Sequence, residues 1–292
     1  MTYKTLIYDV SEGVATLTFN RPDKLNAFNL EMAQEFVSVL DRVDADDEVR
    51  ALIVTGQGRA FCAGADLSSG AKTFDAVDAA MRPDGSVDYS NEAVRDGGGK
   101  MTLRIFQCLK PVIAAVNGVA VGVGVTMTLP MDIRLASENA KVGFVFARRG
   151  IVPEAASSYF LPRVIGISRA LEWCYSGRVY PAAEAKAAGL FREVYPEDQL
   201  LPAARAIARE IAENTAPVSI ALTRQMMWRG LGLSHPMEAH RIDSRGVRAR
   251  GRSADAAEGV TSFLEKRPAK FTDRVSRDMP DFFPWWEEPK YE

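Results

Sequence analysis

The pattern of hydrophobic positions predicts a sheet from the first residues of the chain. Residues 3–9 and 14–19 are rich in β-branched and aromatic side chains and flank the turn sequence Ser-Glu-Gly, so they predict a hairpin. Apolar side chains at three- and four-residue spacing over residues 30–43 indicate an amphipathic helix. The uninterrupted apolar run at residues 51–55 predicts a buried strand.

Strands and helices alternate in the next part of the chain. A helix from residue 101 leads to an apolar strand at 112–116, and a short helix at 123–129 precedes another strand at 132–136. This alternation of apolar strands with helices predicts an α/β core with parallel pairing. The polar, glycine-containing stretch 70–99 has little periodicity, so we expect it to form a mobile excursion over the surface.

Beyond about residue 168 the pattern becomes helical. The chain then divides into a core over residues 1–197, a helical region over 198–275 and a tail over 276–292. The tail is rich in aromatic side chains, so we expect it to pack against its own subunit or a neighbouring one. The individual helices are predicted at residues 169–175, 182–188, 202–214 and 218–228, with two more before residue 268.

Composition narrows the class of partner. The chain has 292 residues, of which 47% are hydrophobic, enough for one large core with an appended segment. Its 36 basic and 38 acidic residues give a net charge of -2, which provides no electrostatic reason to expect a nucleic acid or an anionic membrane as partner. We expect a small-molecule partner.

Neither a metal site nor an export signal is predicted. The three cysteines are widely separated and form no CxxC motif, so they indicate neither a disulfide framework nor a zinc site. No apolar run approaches the roughly 18 residues of a membrane span, and the first residues do not resemble a signal peptide. These features favour a cytoplasmic location.

Two glycine-rich turns are the strongest candidates for chemistry. Residues 56–67 (GQGRAFCAGADL) and 117–124 (NGVAVGVG) each follow an apolar strand and lead toward a helix. Such turns present unpaired backbone N-H groups at the start of a helix, where negative charge is favoured. Two donors aimed at one carbonyl oxygen stabilise an enolate, typically by about 3 kcal/mol per donor.

Several segments, taken in order, resemble the successive motifs of the crotonase superfamily, also called the enoyl-CoA hydratase/isomerase family. The resemblance extends from about residue 5 to residue 275 and leaves only the aromatic tail outside. The segments are RPDKLNA at 21–27, GRAFCAGADL at 58–67, KPVIAAVNGVAVGVG at 110–124, MDIRLA at 131–136 and EGVTSFLEKR at 258–267.

The resemblance implies a fold, a substrate class and an assembly. The expected fold is a spiral of ββα units followed by a C-terminal helical region that forms trimers, so that the protein is a homotrimer or a hexamer. The expected substrate is an acyl-CoA thioester, and coenzyme A then arrives as part of the substrate rather than as a separate cofactor.

Carried over position by position, the family's oxyanion N-H groups belong to Ala65 and Val123. Members of the family usually have glycine where this chain has Val123. The N-H donor is retained, but a β-carbon now crowds the backbone at that point. We therefore expect a difference in how the acyl chain is accommodated.

The family also implies a binding surface for coenzyme A. Phe263 and Lys266 fall where the family's C-terminal helix reaches coenzyme A, commonly from an adjacent subunit. The remaining candidates are Ala63, Asp66 and Leu67, expected near the adenine and pantetheine, and Lys24, expected near a phosphate.

The chain departs from the hydratases at the two positions where they carry catalytic glutamates. Those positions are Thr126 and Phe146, and neither side chain abstracts a proton at neutral pH. Glu154 remains, where many hydratases have glycine, and its position resembles that of the catalytic acid in some isomerases and in a dehalogenase. We expect it at a helix start, where burial raises its pKa while the helix dipole and Arg148 or Arg149 oppose the rise.

One carboxylate suffices for moving a double bond, so isomerisation of an enoyl-CoA with Glu154 as base is the favoured interpretation. Hydration with Glu154 replacing the missing pair is the main alternative. Thioester hydrolysis, C-C cleavage and non-catalytic acyl-CoA binding also remain open. His235 and His240 have no partners at metal-ligand spacing and receive no catalytic role.

Overall fold

A computed structural model describes residues 3–75 and 80–291. Its main sheet has six strands in the order β1-β2-β3-β5-β7-β10, with β1 antiparallel to β2 and all other pairs parallel. The strands are β1 (Leu6–Ser11), β2 (Val14–Phe19), β3 (Ala51–Gly56), β5 (Val112–Val116), β7 (Ile133–Ser137) and β10 (Glu193–Tyr195).

Four strands of three residues each form a second sheet in the order β4-β6-β8-β9. Three times in succession, a strand of the main sheet is followed by one of these short strands, which is the expected repeat of ββα units. The short strands were not predicted, since three residues show no periodicity. They are β4 (Ala60–Cys62), β6 (Val119–Val121), β8 (Lys141–Gly143) and β9 (Val179–Pro181).

Ten helices accompany the sheets within the described residues. The first six are α1 (Leu30–Ala45), α2 (Gly97–Gln107), α3 (Val123–Thr126), α4 (Ser157–Ile165), α5 (Ile167–Ser176) and α6 (Ala182–Ala187). The last four are α7 (Glu197–Asn214), α8 (Pro217–Gly230), α9 (Pro236–Arg250) and α10 (Ala254–Glu265). No helix among the described residues is long and apolar enough to cross a lipid bilayer.

The main sheet is covered on both faces. Ile53 packs toward α7, together with Leu200 and Ala204 of that helix. Leu52 and Val54 point the other way, into the larger core that contains α1 and the second sheet. Burial on both faces explains why β3 is continuously apolar rather than alternating.

Several predicted boundaries are wrong, among them the start of α7, which is at Glu197 rather than at residue 202. The first strand begins at Leu6, not at residue 3, and the helix at 123–129 ends at Thr126. Helix α2 begins at Gly97 rather than at 101, because the Asp96 carboxylate accepts hydrogen bonds from the N-H groups of Gly98 and Gly99 and so caps the helix.

The excursion at 70–99 is partly ordered. A turn of 3-10 helix covers Glu92–Val94, and Met81 pairs with Val87 in an isolated bridge. Residues 76–79 of this stretch lie outside the described residues. Its last three residues already belong to α2, so the excursion leads directly into a helix of the core.

Candidate active site

The first glycine-rich turn is anchored by the loop that precedes α1. Asn26 is fully buried and has a positive φ of 55°. Its Nδ2 donates to the carbonyl oxygens of Gln57 at 3.0 Å and Ala60 at 2.8 Å, and its Oδ1 accepts from the N-H of Arg21 at 2.8 Å. These buried hydrogen bonds hold the loop and the turn in one geometry.

The backbone pairing of Phe28 with the residues on either side of Ala65 leaves the N-H of Ala65 free. The N-H of Phe28 donates to the Gly64 carbonyl, and the N-H of Asp66 donates to the Phe28 carbonyl, both at 2.8 Å. A residue between two such bonded neighbours directs its own N-H to the opposite side. Among the described residues, nothing accepts the N-H of Ala65.

The second turn lies beside the first because β4 and β6 are adjacent parallel strands. The carboxyl ends of parallel neighbours meet at one edge of a sheet. Two glycines allow the turns to touch: a methyl group on Gly124 would overlap with the Cys62 carbonyl oxygen, and one on Gly64 would lie 2.9 Å from that of Val121.

The second candidate donor also faces no acceptor. Val123 is the first residue of α3, after Gly122, which has a positive φ of 55°. Within the described part of the chain, the N-H of Val123 has no hydrogen-bond partner. The two turns therefore supply two free donors at one sheet edge, as an oxyanion hole requires.

Glu154 lies close to the Val123 side chain of the second turn, but it does not start a helix as predicted. Ala155 and Ala156 have positive φ values of 55° and 53°, and α4 begins only at Ser157. The prediction fails because two left-handed residues interrupt the helical backbone. Nor do Arg148 and Arg149 affect the Glu154 carboxylate: its pKa is determined by burial, Thr126 and Asp96.

The Glu154 carboxylate is held by one hydrogen bond. Thr126 Oγ1 donates to Glu154 Oε1 at 2.6 Å. Burial raises the pKa of Glu154 to about 7, the Thr126 hydrogen bond opposes this rise, and the charge of Asp96 adds to it. A carboxyl group with a pKa near neutrality accepts and returns protons readily.

Helix α2 forms a wall beside the other carboxylate oxygen. A methyl group on Gly98 would lie 2.5 Å from Glu154 Oε2, 3.1 Å from Val123 Cγ2 and 3.2 Å from Ala155 Cβ. The Asp96 carboxylate also accepts the N-H of Ala155 at 2.5 Å. The carboxylate of Glu154 and the side chain of Val123 are thus neighbours across Gly98.

The sequence did not identify Asp96 or Gly98 as site residues, and it indicated Thr126 only as a position that lacks the expected glutamate. The one available signal was an aspartate directly before three glycines and a periodic helix, which is a typical N-cap position. Phe146, at the other lost glutamate position, is buried with 3% of its surface exposed.

The predicted coenzyme A residues fall into two groups. Ala63, Asp66 and Leu67 lie on either side of Ala65 in the first turn, and Leu67 is 53% exposed. The carboxylate of Asp66 pairs with Arg21 at 2.8 Å, so it supports the turn. Lys24 is exposed on the adjoining loop.

The second group lies on the C-terminal helix. Phe263 is in α10 with 80% of its surface exposed, and Lys266 follows the helix in a left-handed conformation. No contact described within the chain joins these two side chains to the two turns. Among the described residues, no three His, Cys, Asp or Glu side chains form a group suited to a metal ion.

The family model of enoyl-CoA hydratase/isomerase matches residues 9–274. The chain belongs to this family. It is 44% identical over 266 residues to the enoyl-CoA hydratase ACTT3 of Alternaria alternata, a match that covers 91% of this chain and 85% of that protein. It is 35% identical over 276 residues to the 1,2-epoxyphenylacetyl-CoA isomerase of Escherichia coli, with 92% and 98% covered.

A solved structure agrees with the fold. The enoyl-CoA hydratase of Bacillus anthracis superposes with a TM-score of 0.81 at 30% identity, covering 92% of this chain and 99% of that one. The protein is therefore an enzyme of the crotonase family with the expected α/β fold.

Proposed function

We propose that this enzyme isomerises an enoyl-CoA thioester by moving a double bond from the 3,4 to the 2,3 position. The observation that carries the proposal is the Glu154 carboxylate, with its raised pKa of about 7, close to the side chain of Val123, whose N-H is one of the two free donors. Thr126 and Phe146 stand where the resemblance places the glutamate pair of the hydratases, so we take Glu154 as the candidate base at this site.

The reaction needs only this one base. Glu154 removes the proton from C2 of a 3-enoyl thioester, and the electron pair moves into the carbonyl to form a dienolate. The N-H groups of Ala65 and Val123 stabilise the resulting oxyanion. The protonated Glu154 then returns the proton at C4, so that the double bond lies between C2 and C3 and the carboxylate is regenerated.

The Thr126 hydrogen bond determines which oxygen of Glu154 takes part. Oε1 accepts from Thr126, whereas Oε2 faces Gly98 and the Val123 side chain. No hydrogen-bond donor in the described part of the chain reaches Oε2. We assign Oε2 as the oxygen that exchanges the proton with the substrate.

Hydration is the second candidate, and the names of the hydratase relatives favour it. In that reaction Glu154 alone would have to activate a water molecule and supply the proton for C2. One relative is named a 1,2-epoxyphenylacetyl-CoA isomerase, so isomerases as well as hydratases occur among the relatives, although its named substrate is an epoxide. The two reactions differ in their product, so a product assay separates them.

The test uses a 3-enoyl-CoA and a 2-enoyl-CoA of the same chain length. We expect the wild type to form the conjugated 2-enoyl thioester and Glu154→Gln to lose activity by about 1,000-fold, because the base is absent. Glu172→Gln, an exposed glutamate on α5, is the control and should retain full activity. Accumulation of 3-hydroxyacyl-CoA would instead show a hydratase, and binding without turnover would indicate a non-catalytic protein.

A further inference from the structure

The aromatic tail lies outside the match to the family, which ends at residue 274. Three of its rings pack edge to face against each other rather than into solvent. Trp285 and Trp286 have ring centroids 4.9 Å apart at 85°, and Phe283 lies 5.3 Å from Trp286 at 86°. This is the geometry that aromatic pairs prefer, so the tail has a defined structure.

One anchor of the tail is Arg229 in α8. The guanidinium lies 3.4 Å from the ring centroid of Trp286 and 5.0 Å from that of Phe106. Glu288 pairs with Arg229 at 2.6 Å and accepts the Trp286 indole N-H at 2.6 Å. Since Phe106 belongs to α2, this cluster joins the tail to the C-terminal end of that helix.

A second anchor lies at the opposite end of α2. The guanidinium of Arg95 is 4.7 Å from the ring centroid of Tyr291. Arg95 directly precedes Asp96, the residue that caps α2. The tail therefore contacts the chain at both ends of this helix.

The first turn of α2 is the part of this helix that contacts the site. Asp96 holds the backbone at Ala155, and Gly98 contacts the Glu154 carboxylate. A displacement of α2 would move the wall beside Glu154 Oε2 and the support of the following residue. Displacements of about 1 Å at a catalytic group reduce rates by up to about 100-fold.

We propose that residues 276–291 form a strap that holds α2 against the site, and that Trp286 and Tyr291 are positioning residues for Glu154. The role of Glu154 as the base belongs to the proposed function, on which this part of the inference rests. The contacts of the strap with α2 and α8 stand independently of the reaction.

The test compares Trp286→Ala, Tyr291→Ala and the Trp286→Phe variant in the full-length chain. Kinetics with a 3-enoyl-CoA and hydrogen exchange of the α2 amides are measured for each. We expect the alanine variants to lower kcat about tenfold, with a smaller change in KM, and to speed exchange in residues 97–107. Trp286→Phe retains a ring over Arg229 and should restore most of kcat.

The dependence of kcat on pH is a further measurement, and a general loss of stability would not shift it. The groups facing the Glu154 carboxylate are Thr126, Asp96 and the buried Cys62 thiol. If α2 moves outward, water enters and Asp96 moves away, and both changes lower the pKa of Glu154. The acid limb of kcat should then shift to lower pH in the alanine variants.

Tyr175→Ala is the matched control, because this tyrosine on α5 is 74% exposed and belongs to neither anchor. Unchanged kcat, pH profile and α2 exchange in Trp286→Ala and Tyr291→Ala would overturn the strap, as would faster exchange spread over the whole chain. If the wild type shows no isomerase activity while α2 exchange rises only in the strap variants, the proposed function fails and the strap is supported.

Discussion

Thr126 donates a 2.6 Å hydrogen bond to Glu154, so the residue at one position where the resemblance to hydratases leads us to expect a glutamate supports the Glu154 carboxylate. Threonine at position 126 therefore contributes a hydrogen bond to the site. A glutamate at position 126 would place a second negative charge beside Glu154, and like charges at this distance raise one pKa strongly. Threonine is neutral and donates to the carboxylate. This arrangement agrees with the proposed reaction, which uses one base rather than two.

Thr126→Val should expose the contribution of this hydrogen bond. Valine has nearly the same shape but cannot donate, so the pKa of Glu154 should rise and its side chain should lose its fixed orientation. We expect kcat to fall about tenfold and the acid limb of the pH profile to move to higher pH. Thr126→Ser keeps the hydroxyl and should stay near wild type; identical profiles for the valine and serine variants would contradict this role.

Gly98→Ala tests the contact between α2 and the base. The added methyl would lie 2.5 Å from Glu154 Oε2, so the carboxylate must move, and we expect kcat to fall by about 100-fold. The neighbouring Gly97→Ala is the control, because a methyl there meets nothing within 4 Å. Equal activity of the two variants would show that Gly98 does not shape the site.

The raised pKa of Glu154 also predicts a pH-dependent stability. In the unfolded chain this carboxyl has an ordinary pKa, so the folded state binds its proton more tightly; that contribution is present at pH 4 and is lost as pH rises through about 7. Glu154→Gln carries no charge at either pH. Its free energy of unfolding, relative to that of the wild type, should therefore increase from pH 4 to pH 8.5, by at most about 3 kcal/mol. Urea unfolding at pH 4 and 8.5 measures this, with Glu172→Gln as control. A difference between Glu154→Gln and wild type that stays constant with pH would refute it.

Val123→Gly addresses the unusual residue at the second oxyanion turn. The Val123 side chain meets Gly98 beside Glu154, so its removal should enlarge the space around C2 of the acyl group. We expect the ratio of kcat/KM for 2-methyl-branched to linear substrates to rise about tenfold. Val125→Ala, which removes apolar atoms from the same buried helix, should leave that ratio unchanged. A ratio that stays constant in Val123→Gly would show that Val123 does not limit branching.

The two lysines that are expected to bind coenzyme A can be tested separately from the catalytic step. Lys24→Ala and Lys266→Ala should each raise KM for acyl-CoA about five-fold, with kcat nearly constant, because a lost phosphate contact weakens binding without touching the reacting atoms. Lys141→Ala, an exposed lysine on β8, is the control. A pantetheine thioester that lacks the nucleotide phosphates should abolish the difference. If Lys266→Ala matters only in the oligomer, mixing it with a Glu154→Gln chain should restore part of the activity.

Much of the fold could be predicted locally. The apolar runs of β3 and β5, the periodicity of α1 and the helices after residue 168 depend on neighbouring residues, and they agree with the structure within a few positions. The three-residue strands could not be predicted, since they are defined by their pairing with one another rather than by any pattern of their own. The cap at Asp96 and the left-handed residues before α4 were also missed.

The sequence by itself determined the family and the two glycine-rich turns, and it singled out Glu154 as the candidate base. The tertiary structure decided how these parts meet. Thr126 and Glu154 are 28 residues apart, and Asp96 and Ala155 are 59 apart, so their contacts depend on the path of the whole chain. Hydrophobic periodicity reports only which face of an element is buried. Which buried faces share a boundary, and therefore the pKa of Glu154, follows from packing alone.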